Sequence, residues 1–167
     1  MRSRSRLKCS KVFSSSTGAA MTKIAVACPQ ETVAVERGLM RTIARRVLEG
    51  EGIADYEISL AFVDDATIHR LNLRYLQHDE PTDVLSFPLS DSGSKKLAGE
   101  LVIGAEVALA RAREHGHDVQ AELGLYVIHG LLHLCGFDDH EADDAKAMRE
   151  RERHYLEVLG LPAIAPA

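Results

Sequence analysis

Between positions 129 and 140 the chain reads HGLLHLCGFDDH, three histidines and two aspartates in an otherwise apolar stretch. His129 and His133 are four residues apart, which at about 100° per residue places both imidazoles on one helix face, one turn apart. Both can then reach one metal ion. Gly136 can take the left-handed conformation that ends a helix and lets the chain turn back toward that ion. In the spacing H-x3-H-x2-G-x2-ligand of long zinc signatures, the third ligand falls on Asp139, with His140 beside it as the alternative. Three protein ligands leave one coordination position open, the arrangement of a catalytic zinc site. Nitrogen ligands with a carboxylate favour zinc, one ion per chain, although other transition metals accept such a set. A lone histidine on an apolar helix face is more often a hydrogen-bonded core residue; the pair, the glycine and the third candidate together point to a metal.

The neighbour of the first histidine narrows the chemistry. In HExxH peptidases that position is a glutamate acting as general base. Here it is Gly130, which moves no proton, so a zinc peptidase would need a remote carboxylate such as Glu122. Cys135, about 200° around the helix from His133, faces away as a small core residue.

The elements that must hold these groups follow from periodicity. Apolar residues at Val35, Leu39, Met40, Ile43, Val47 and Leu48 recur every three or four positions and predict a helix over 31–49, stopped by Gly50 and Gly52. YEISLAFV, 56–63, alternates as a strand. A helix over 64–76 opens on a capping aspartate. PTDVLSFPL, 81–89, has a strand core closed by Pro88, and ELVIG, 100–104, is a strand after a polar loop. Helices are expected over 105–115, 118–135 and 141–159, the last stopped by Gly160 and Pro162. Few strands and many helices indicate an α+β fold, with a metzincin-like metal helix carrying His129 and His133.

Composition bounds the rest. The 167 residues, 46% hydrophobic, suit one domain, and no apolar run reaches the roughly 20 residues a membrane-spanning helix needs. Cys9, Cys28 and Cys135 are odd in number and form no CxxC pair, which argues against a disulfide framework and for a reducing cytoplasm. The first 30 residues carry six cations and no acid, leaving 14 cations against 25 acids in the remainder. Residues 1–20, rich in Arg and Ser, are expected to be a disordered basic extension or a mis-assigned start preceding Met21, with 21–167 as the single folded domain.

HGLLHLCGFDD, together with LNLRYLQHDEPTDVLSFPL and GELVIG, resembles the YbeY family of single-strand-specific endoribonucleases of ribosomal RNA maturation and ribosome quality control. The likeness runs from about Glu31 to Gly160. It implies a central mixed sheet of about four strands packed with five or six helices, one zinc held by three residues, and single-stranded ribosomal RNA as substrate, at the 16S rRNA 3′ end. Small ribosomal subunit proteins are the implied partners, with neither membrane nor DNA. Two departures stand out. The family's third ligand is a histidine, and an ungapped register puts Asp139 there with His140 one place later. The family motif N-x2-[YW]-R has an arginine where this chain has Leu76. Arg74 is the nearby candidate to stabilise phosphate charge, beside His129 and its metal, although its other role is a solvent-facing helix arginine. The resemblance assigns Asn72, Asp83 and Ser86 to shaping the cleft or its hydrogen bonds, and Asp83 reads equally as a structural turn residue.

The ion is expected to lower the pKa of its water from ~15.7 to around 7 and so supply the attacking hydroxide. RNA affinity comes largely from cations on phosphates. An acidic body therefore leaves only local patches, such as the Arg37, Arg41, Arg45 stripe or Lys95 and Lys96, each of which also reads as solvated surface. Three functions remain: a zinc-dependent endoribonuclease, a zinc metallopeptidase, and a non-catalytic ribosome-associated assembly factor.

Overall fold

A computed structural model describes residues 19–166. All but the last two residues of the expected 1–20 extension therefore lie outside the described residues. The elements run β1 (Thr22–Ala27), α1 (Arg37–Gly50), β2 (Tyr56–Val63), α2 (Asp65–Leu76), β3 (Val84–Pro88), β4 (Leu97–Gly104), α3 (Ala105–His115), α4 (Val119–Leu134) and α5 (Ala142–Val158). The strands form one mixed sheet in the order β1-β2-β4-β3, with β3 antiparallel to β4 and the other pairs parallel. The fold is α+β, with five helices on a four-stranded sheet among the described residues.

Side-chain alternation gives each face of the sheet its own core. Ile58, Leu60, Phe62, Leu101 and Ile103 point toward α1 and α4 and join the main cluster. Val63, Leu85 and Val102 point the other way, onto Ile68 of α2. Helix α4 is buried on nearly every side, which explains its run of apolar residues and leaves its few polar ones conspicuous.

Both helices nearest the motifs begin on aspartates: Asp64 accepts a hydrogen bond from the Thr67 amide at 2.8 Å, and Asp118 from the Gln120 amide at 3.0 Å. Helix α4 ends where Gly136 turns left-handed at φ +103°, the Gly136 amide donating to the His133 carbonyl and the Phe137 amide to that of Leu132.

Three elements depart from expectation by more than a terminal residue or two. Strand β1 is absent from the periodicity reading, because six residues with only Ile24 and Val26 part-buried carry little pattern. Helix α1 starts at Arg37 rather than 31, the preceding segment being pinned instead by Gln30, which bonds Val33 through both ends of its side-chain amide. Strand β4 reaches back to Leu97, its early residues paired along β2.

Candidate functional site

Helix α4 and the Gly136 turn bring three donor atoms to one point. His129 Nε2 and His133 Nε2 lie 3.1 Å apart, and Asp139 Oδ2 lies 3.6 Å from each. Tetrahedral ligands about 2.1 Å from an ion sit roughly 3.4 Å from one another, so this trio has the dimensions of a three-residue site for a divalent cation. Among the described residues, His129, His133 and Asp139 form one of two groups close enough to share an ion.

The far ring nitrogens are already engaged. The Glu152 carboxylate lies 2.5 Å from His129 Nδ1, and the Phe137 carbonyl 3.1 Å from His133 Nδ1. Both partners accept, so in the neutral rings both Nδ1 atoms carry the proton and both Nε2 lone pairs face Asp139. Two lone pairs and a carboxylate converging on one point are a donor set that could hold a cation between them. Burial disfavours a charged His129, but the hydrogen bond to Glu152, the Glu152 charge, and the Asp83 and Asp139 carboxylates outweigh it and raise the pKa above the ordinary imidazole value.

Other expected positions are distributed as follows. His140 is exposed and pairs with Asp138 at 3.5 Å, in the second group, Asp138, Asp139 and His140, which is wholly at the surface. Asp138 caps the turn, accepting from the amides of Asp139 and His140. Those bonds hold its carboxyl below the usual range. Ser86 donates to the Gly130 carbonyl at 3.3 Å, tying β3 to α4 beside His129. Asp83 lines the cavity and accepts from the Val84 amide at 2.8 Å. Asn72 is buried and donates to the Glu80 carbonyl at 2.8 Å, a hydrogen bond that organises the α2–β3 loop. Arg74 lies over the Tyr75 ring on α2, and neither it nor exposed Leu76 lines the cavity.

That cavity, about 670 Å³, opens along α4 from His129 and Asp139 and is large enough for a nucleotide-sized ligand. Farther along, buried Glu122 hydrogen-bonds His117, a part-buried residue of the turn between α3 and α4. Tyr126 is pushed above its usual phenolic range by burial and by Glu122, with Arg111 acting in the opposite sense.

Sequence reasoning does not single out Glu152, whose carboxylate backs His129, as a site residue. Its signal was present: Met148, Glu152, Tyr155 and Leu156 form the buried stripe of α5, with a carboxylate in an otherwise apolar or aromatic row. Only the tertiary fold shows that it meets a histidine 23 residues earlier.

Gly130 faces the sheet. A Cβ there would stand 2.9 Å from both Leu101 methyls and 3.1 Å from Val84 Cγ2. Leu101 is fully buried, so Gly130→Ala is expected to cost about 1–3 kcal/mol in chemical denaturation, and an unchanged midpoint would show that the helix–sheet contact yields freely. A glutamate at 130 would enter that packed contact.

The sequence model of the family described as Endoribonuclease YbeY matches residues 25–160. A protein named Endoribonuclease YbeY from Carboxydothermus hydrogenoformans is 42% identical over 135 residues, covering 79% of this chain and 94% of that protein. One of the same name from Pelotomaculum thermopropionicum is 41% identical over 142 residues, covering 79% and 93%. The solution structure of a Thermotoga maritima protein superposes with a TM-score of 0.59 at 28% identity, covering 81% of this chain and 88% of that one.

Proposed function

The chain belongs to the Endoribonuclease YbeY family, and on that premise we propose that it is a zinc-dependent, single-strand-specific endoribonuclease that matures the 3′ end of 16S ribosomal RNA and serves ribosome quality control. Residues 21–167 are read as the nuclease domain, working in the cytoplasm with ribosomal RNA and small-subunit proteins. The observation that carries this reading is the convergence of His129, His133 and Asp139 with both imidazoles oriented from behind.

His129, His133 and Asp139 would hold the ion. When bound, zinc supplies Lewis acidity and lowers the pKa of its water from ~15.7 to about 7. Glu152 fixes the tautomer and tilt of His129 and strengthens it as a donor; the Phe137 carbonyl does the same for His133. Asp139 offsets part of the cation's charge. Asp83, on the cavity wall within electrostatic reach of His129, would accept a proton or a hydrogen bond from a ribose hydroxyl. A cavity of about 670 Å³ along α4 has room for a nucleotide-sized group, which supports a flexible single strand as the substrate.

A peptidase fits less well. Position 130 packs on Leu101 and Val84, and Glu122 is engaged by His117. The assembly-factor alternative rests on Leu76. Incubating zinc-loaded protein with single-stranded RNA, duplex RNA and casein separates them. Cleavage of single-stranded RNA that a chelator abolishes is the expected result. Casein digestion without RNA cleavage would establish the peptidase, and bound zinc with neither activity the assembly factor.

A further inference from the structure

The cavity continues beyond the donor trio, and its walls carry charge that metal binding leaves unused. Glu122, Tyr126, His129 and His133 fall at i, i+4, i+7 and i+11 of α4 and share one helix face. The seven residues from Glu122 to His129 span about 10 Å, more than one reacting phosphate occupies. Asp83, Asp139 and Glu152 make the His129 end acidic, whereas Arg111 of α3 and Arg149 of α5 also line the cavity, from two helices that both pack on α4.

Neither guanidinium makes an ion pair or a side-chain hydrogen bond among the described residues. Partners are not scarce, since acids outnumber cations 25 to 20 in the whole chain. Glu122, which neighbours Tyr126 together with Arg111, is occupied by His117. Helix α2 gives the cavity no cation: Arg74 covers Tyr75, and Leu76 is apolar.

The geometry points to Arg111 and Arg149 as a substrate-binding pair that holds the phosphodiester next to the one being cut in a single-stranded RNA. This rests on the nuclease reading above. A planar guanidinium offers two parallel N–H donors to phosphate oxygens. Such bonds fix the register of the strand without reading its bases, and they make affinity salt-dependent.

The test is binding of a labelled, 2′-O-methyl single-stranded RNA to the zinc-loaded full chain across a salt series, alongside RNA cleavage. Both arginines are exposed, so Arg111→Ala/Arg149→Ala should keep its zinc content and melting temperature. Its Kd is expected to rise about tenfold per arginine, with KM rising more than kcat falls. The slope of log affinity against log salt should shrink by about 0.7 for each phosphate that is no longer neutralised. Arg111→Lys/Arg149→Lys should restore the slope while recovering only part of the affinity. Unchanged Kd and slope in the alanine pair, with wild-type cleavage intact, would overturn the subsite and leave the nuclease reading standing. A wild-type protein that neither binds nor cleaves RNA would remove both.

Discussion

His129→Ala is expected to reduce bound zinc from about one ion per chain to near zero and to slow RNA cleavage by about a thousandfold or more, roughly 4 kcal/mol of barrier. Removing one of three ligands leaves an imidazole and a carboxylate, too few to hold an open zinc site. The same change strands Glu152, whose carboxylate is buried and bonded to His129. A second variant guards against misfolding: His129→Gln keeps most of the volume and a polar partner for Glu152. Zinc at 100 times its Kd should raise wild-type stability by about 2.7 kcal/mol and leave both variants unmoved. A His129→Gln protein that still gains stability from zinc would show that the ion binds elsewhere.

Glu152→Gln should weaken zinc binding by about 10- to 100-fold. The amide oxygen can still accept from His129 Nδ1, so the ring keeps its orientation, but the charge that makes it a better donor is gone. Glu152 is a positioning residue, acting through His129. The effect is therefore expected in the zinc concentration needed for half-maximal cleavage, with most of the rate recovered at saturating zinc. Wild-type zinc affinity in this variant would mean that the buried carboxylate serves only to anchor α5.

The parts of the site that were legible in the sequence are those within one turn or one bend. The i, i+4 spacing of His129 and His133 needs only helix geometry, and the Gly136 turn brings Asp139 rather than His140 alongside them because the chain leaves the helix in a fixed local motif. Several element positions followed from local signals for the same reason: β2 alternates along its length, and α3 is closed by the left-handed Gly116. What escaped depends on distance in sequence. Glu152 reaches His129 from a separate helix, and Arg111 and Arg149 line one cavity only because α3 and α5 both pack on α4. Strand β1 escaped for another reason: its pairing with β2 supplies backbone hydrogen bonds that side-chain pattern does not report. The Arg37, Arg41 and Arg45 stripe lies along the outward side of α1, away from the cavity walls.

Anomalous diffraction at the zinc edge from zinc-soaked crystals tests the central claim most directly. A single peak about 2.0–2.2 Å from His129 Nε2, His133 Nε2 and the Asp139 carboxylate is expected. Zinc seated instead on the surface group of Asp138, Asp139 and His140, or no peak near the two histidines, would contradict it.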